Sequence, residues 1–150
     1  MNKFGFLIAV ASAMFLAGCV QQQPLAYQTT HGKPERTLAN TDIETAKGRL
    51  IDGCLRMGFA NITEQGSSVI CERTIDGASG VFAQFLVGNS YSTTPTQHVQ
   101  FVFRKSGEHT TVTATRQWIQ TQMAFGQINS QELTANQNWN DIHHFLRTLP

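Results

Sequence analysis

Charge is scarce in this chain and neither sign dominates. Eleven lysines and arginines stand against ten aspartates and glutamates, and charged residues make up only 14% of the sequence. There is no basic stripe of the kind that neutralises nucleic-acid phosphates, so nucleic acid is not expected as a partner. Polarity comes instead from Gln, Thr, Asn and Ser, which steer charged ligands weakly. Beyond residue 18 there is no apolar run long enough to cross a bilayer as a helix. No internal repeat is present.

The patterns that carry chemistry are missing as well. Gly77-Ala78-Ser79-Gly80 places a serine among glycines, but it lacks the Gly-x-Ser-x-Gly spacing of a nucleophile elbow and reads as a turn. Glu64, Glu72, Asp76 and Glu108 fall on expected strands or turns, and nothing pairs two of them across a cleft. No glycine pattern able to cradle a phosphate occurs. Of the histidines, His31 lies in an expected linker, while His98 and His109 flank expected strands. His143 and His144 are neighbours on a helix, about 100° apart, and cannot chelate one metal as an i, i+4 pair would. The expectation is a non-enzyme, with no catalytic residue, no cofactor and no metal ligand, and with no ligand-binding residue assignable.

What is present begins at the N-terminus. Lys3 supplies a short positive region, and Phe4 to Phe15 form an apolar run interrupted only by Gly5 and Ser12. The run is too short for a membrane-spanning helix and has the length of a signal-peptide core. It ends in Leu16-Ala17-Gly18-Cys19, where two small residues admit a peptidase and the next residue offers a thiol. This tetrapeptide resembles the lipobox of bacterial lipoproteins, over roughly the first twenty residues. The resemblance implies that residues 1–18 are a signal peptide removed before Cys19. It further implies that Cys19 carries a diacylglyceryl group on sulfur and an acyl chain, palmitate for instance, on its amino group. Each buried methylene contributes about 0.8 kcal/mol, so several chains on one residue make a lasting membrane tether. Val20, in place of Asp, implies by the same likeness the outer membrane, with the domain facing the periplasm. With Lys3 removed, basic and acidic residues are equal in number.

Residues 19–39 read as a lipidated flexible linker. Gln21-Gln22-Gln23-Pro24 opens it, apolar periodicity is absent, and Pro24 and Pro34 discourage a helix. Residues 40–150 read as one α+β domain. Thr41 and Glu44 have capping-box spacing. Ile43, Ala46, Leu50 and Cys54 then repeat at helical intervals, and Gly58 suits the left-handed turn that ends a helix. Strands are expected at Phe59 to Glu64 and Ser68 to Ile75, joined at Gln65-Gly66-Ser67, and again at Val81 to Val87. A loop at Gly88 to Pro95 precedes a strand with Val99, Phe101 and Phe103 on one face. After a turn at Ser106-Gly107-Glu108, a long strand runs from His109 to Gln122. There Val112, Ala114 and Trp118 are in phase with Arg116, which requires either a bulge or a paired buried arginine. A final helix carries Trp139, Ile142, Leu146 and Leu149 as a stripe widened by Phe145, with Asn136 or Asn138 as cap. The expected fold is therefore an N-terminal helix, an antiparallel sheet of four to five strands, and a C-terminal helix packed on one face. This order is similar in layout to the helix-grip modules of some envelope assembly lipoproteins.

In an exported chain disulfides persist. Cys54 lies on the apolar face of the first helix and Cys71 in the second strand, and a disulfide between them is expected. Closing a loop of about eighteen residues would add roughly 3 kcal/mol. Without Cys-x-x-Cys a redox-active pair is not expected, nor is zinc. Phe82, Phe85, Phe101, Phe103 and Trp118 either fill the core or line a groove, with the core favoured. Arg73, Arg104 and Arg116 would form a row across neighbouring strands if the register allowed it, which would suit an acidic partner or glycan. The expected function is a membrane-anchored, non-catalytic module that binds or scaffolds an envelope protein. Two alternatives are a carrier or sensor of a small apolar ligand, needing a cavity of a few hundred cubic ångströms, and an inhibitor or exclusion factor against an incoming hydrolase, phage or conjugating cell, acting through the loop at Gly88 to Pro95.

Overall fold

Helix α1 (Ile43–Arg56) begins where Asp42 accepts the backbone N–H of Thr45 at 2.9 Å and its hydroxyl at 2.8 Å. The cap is therefore Asp42 and not Thr41. Thr41 is buried: its hydroxyl donates to Ala39 O, and its own carbonyl accepts the Thr110 hydroxyl at 2.6 Å. Glu44 turns to Lys47 at 3.0 Å, so no capping box forms. Gly58, at φ +80°, ends the helix as its position predicted.

The computed structural model describes residues 23–150 except 78, 81, 82, 84–86 and 89–91. The signal-peptide run, the lipobox and Cys19 lie outside the described residues, as do Phe82 and Phe85. The strands are β1 (Glu35–Leu38), β2 (Asn61–Gln65), β3 (Ser68–Thr74), β4 (Thr96–Ser106), β5 (His109–Gln122) and β6 (Ile128–Glu132). All pair antiparallel in the order β1-β5-β4-β3-β2, with β6 also on β5. β1 pairs with residues 110–113 of β5 and β6 with residues 118–122, so the two share one edge of β5 end to end. Helix α2 (Asn136–Thr148) closes the chain. The fold is α+β, with a sheet of six strands rather than four or five.

Two departures account for the strand count. Residues 35–38 fall within the expected linker, yet they form edge strand β1, and Tyr27, Pro34 and Leu38 are buried. β6 is so polar that its sequence carries no apolar alternation, and it exists because β5 offers it a free edge. In the other direction, the stretch Val81 to Val87 is not a strand where it is described. Ser79, Gly80, Ala83 and Val87 are helical, and Ala83 and Val87 pack inward against Ile119. The β-branched Val87 here satisfies burial rather than pleating. Gly80 leaves room for the Ile75 carbonyl, which a Cβ at that position would strike.

Both helices cover the same face of the sheet. One cluster joins Ala46, Leu50 and Cys54 of α1 to Trp139, Ile142, Phe145, Leu146 and Leu149 at the α2 end, over Val69, Cys71, Val99, Phe101, Phe103, Val112 and Ala114. Phe101 meets Phe145 edge-on at 5.9 Å, so Phe101 and Phe103 are core and not groove. The Cys54 and Cys71 sulfurs lie at bonding distance, 2.12 Å, and this disulfide joins α1 to β3 inside the core.

The arginine conflict in β5 resolves as a bulge. Ala114 faces Phe101 while Arg116 faces Gln100, leaving Thr115 as the extra residue. Before it Val112 and Ala114 point inward; after it Gln117, Ile119 and Thr121 do. Arg116 and Trp118 are thereby turned to the outer face. Trp118 is not in phase with Val112 after all.

Candidate functional site

The bulge shapes a cleft. By turning Gln117 and Ile119 inward, it places them beneath the gap between the main core and the small cluster of Ala83, Val87 and Ile119. A cavity of about 600 Å³ opens there, inside the range of small-molecule sites. Phe59, Ile75, Ala83, Ile119, Leu133 and Ile142 supply apolar wall. Several elements meet at it: the end of α1 through Met57, strand β3 and its continuation through Arg73 and Ile75, the helical residues Ser79 and Ala83, strand β4 through Gln97, strand β5, and the first half of α2. Ile75 is fixed by donating its N–H to Pro95 O at 2.9 Å, and the buried Gln117 amide donates to Asn138 O at 3.1 Å, locking β5 to α2.

The polar groups in the cleft are few and distinct. Arg73 extends from β3 with Nε donating to Gln97 Oε1 at 2.8 Å and Nη1 to Met57 O at 3.4 Å. Its guanidinium carbon lies 5.0 Å from the centre of the Phe59 ring, within cation–π range. Among the described residues no carboxylate pairs with it. Asp141 is exposed on α2 and accepts from Gln137 at 2.7 Å. Ser79 also lines the cleft.

The outer face of the sheet carries a different constellation. His98 stacks on Trp118 at 4.8 Å with planes 5° apart, and the Arg116 guanidinium lies 4.8 Å from the same indole. Arg116 Nε donates to Glu132 at 2.7 Å. His98 Nε2 meets the Thr96 hydroxyl at 2.9 Å, and Nδ1 lies 3.6 Å from Glu72. Burial holds the His98 pKa below the usual histidine value, and the Glu72 charge offsets part of that. His98 and Trp118 are themselves buried, so this is a closed stack rather than a site.

The structure brings some expected residues together and separates others. Arg73, Arg104 and Arg116 form no row: Arg73 opens to the helix-covered face, whereas Arg104 and Arg116 lie on the other, with Arg116 engaged by Glu132. His143 packs against Tyr27 with rings 5.0 Å apart, and burial lowers its pKa. Neither Asn136 nor Asn138 caps α2; Asn136 donates to Gln23 O instead. Of the loop at Gly88 to Pro95, the described Thr93 is fastened to β5 by both its backbone and its hydroxyl. No group of three or more His, Cys, Asp or Glu among the described residues could hold a metal, and no described helix is long and apolar enough to cross a membrane.

Sequence reasoning missed Ile119, Gln117 and Leu133 as cleft residues. The misfit of Arg116 was the one available signal, because it marked the bulge that redirects everything after it.

Fold and cleft together define a small disulfide-braced α+β domain with one face covered by helices and a ligand-sized opening at their margin. The chain matches no protein-family model, no curated protein and no solved structure.

Proposed function

We propose that the chain is a lipid-anchored, non-catalytic module of the bacterial envelope, tethered through Cys19 to the outer membrane, whose domain binds a small apolar ligand in the cleft. The cleft carries this reading: about 600 Å³ of mostly apolar wall at the margin of the core. The lipobox likeness and the disulfide support the exported setting, since cystines persist outside the cytosol. Decanol, titrated into the purified mature domain by calorimetry, is expected to bind with a single-site isotherm. Ala83→Phe, which fills the cavity from the helical side, is expected to abolish that isotherm while the melting temperature holds. Absence of binding by the parent domain would sink the reading.

A second reading, an envelope protein partner, is favoured by a separate feature. After β5 the chain turns at Met123-Ala124-Phe125-Gly126, where Phe125 sits at φ +66° and is fully exposed, with the exposed Ile128 close by. An aromatic held in strained backbone on a hairpin tip is a natural contact residue. Envelope crosslinking is expected to capture one protein with the parent chain and to lose it with Phe125→Asp. Unchanged capture would dismiss the tip.

A further inference from the structure

The cleft is not uniformly apolar, and the one cation among its described lining residues is placed where a head group would be needed. Arg73 has no carboxylate partner among the described residues, and the bonds it does make, to Gln97 and to the Met57 carbonyl, are with neutral oxygens. Those bonds engage Nε and Nη1 and orient the guanidinium, leaving donors of its five-donor fork to receive a ligand. The Phe59 ring beneath it excludes water from one side. An arginine fork held in this way matches a carboxylate, and lowered hydration strengthens the match. Asp141, exposed on α2 where it lines the cleft, disfavours an anion near itself and favours the Arg73 side.

The chain's own route to the membrane points to the same kind of ligand. Asn136 donates to Gln23 O at 2.7 Å and Asn140 to Pro24 O at 2.9 Å, so the chain is fastened to α2 from residue 23 onward. Asn138 and Asp141 line the cleft on the same half of that helix, and five residues of helix cover only about 8 Å along the axis. Cys19 and Gln23 are four residues apart, a reach of at most about 14 Å. A chain acylated at Cys19 therefore holds this end of the domain close to the leaflet, where amphiphiles are concentrated.

We infer that the cleft takes a single-chain anionic amphiphile, its carboxylate on Arg73 and its tail among Phe59, Ile75, Ala83 and Ile119. The inference rests on the proposed ligand-binding function and adds the class of ligand and the residue that selects it. Its test sets decanoate against decanol on the mature chain, by calorimetry at one pH above the carboxylate range. Decanoate is expected to bind at least about tenfold more tightly than decanol, a difference of the size that a charge-assisted hydrogen bond provides. Arg73→Gln is expected to erase that preference, and Arg73→Lys to keep part of it, since a point charge remains without the fork. Melting curves of both variants establish that they fold. Equal binding of the two probes by the parent chain, both removed by Ala83→Phe, would overturn the anionic selectivity and leave the apolar cleft standing. Binding of neither probe would overturn both. A decanoate preference that survives Arg73→Gln in a folded variant would overturn the assignment of Arg73.

Discussion

Two glycines of α1 lie five residues apart and do opposite work. A Cβ on Gly53 would come within 2.8 Å of both the Phe145 ring and Leu149 Cδ2, so the helices approach each other there because no side chain intervenes. A Cβ on Gly48 would meet nothing within 4 Å. Glycine in a helix interior costs about 1 kcal/mol relative to alanine. At Gly48 nothing offsets that cost, whereas at Gly53 close packing does. Gly48→Ala should therefore raise stability by up to about 1 kcal/mol, and Gly53→Val should lower it by about 2 kcal/mol through overpacking. Urea titrations of the two variants against the parent decide the point. If Gly53→Val proved neutral, the contact between α1 and the α2 end would be looser than described.

Among the elements, legibility followed burial on one face. α1, β3, β4, β5 and α2 were readable because each alternates or repeats apolar residues against a single core. The disulfide was readable from the phase of its two cysteines together with the expectation of an exported chain. β1 and β6 were not readable, because an edge strand that buries little side-chain surface leaves no period, and its hydrogen bonds depend on a partner far away in sequence. The segment at Val81 to Val87 failed for the converse reason. An apolar run flanked by glycines has the composition of a strand, and only its packing over Ile119 makes a helix of what is described. The cleft was illegible because it depends on Thr115. With Ala114 paired to Phe101 and Arg116 to Gln100, one additional residue exchanges the faces of the last seven residues of β5. Periodicity read straight through that point puts Trp118 on the helix-covered face and Ile119 on the other, the reverse of what the sheet does.

For the molecule as a whole, the decisive element is the stretch that resembled a spacer. Residues 23 to 36 touch α2 from one end to the other. Gln23, Pro24 and Ala26 bond to Asn136 and Asn140 at its start, Tyr27 packs on His143, Lys33 Nζ sits 3.8 Å over the Trp139 ring, and Arg36 donates to the carbonyls of Leu146 and Arg147 at its end. Cations bonded to the last carbonyls of a helix stabilise it, and this helix has no side-chain cap at its N-terminus to help. Burying Leu38 contributes roughly 1.5 to 3 kcal/mol, a large share of the lower end of a domain's total stability, about 5 kcal/mol. A domain cut at residue 40, where apolar periodicity alone would cut it, should lose most of its cooperative unfolding transition. The same chain begun at residue 23 should keep it. Circular dichroism melts of the two fragments distinguish the outcomes, and coincident melts would mean that residues 23–39 are a passive spacer after all. If the longer fragment alone folds, the proposed acylation of Cys19 would set the domain against the bilayer rather than at the end of a leash, with the start of α2 and the residues of the cleft beside it as the part held there.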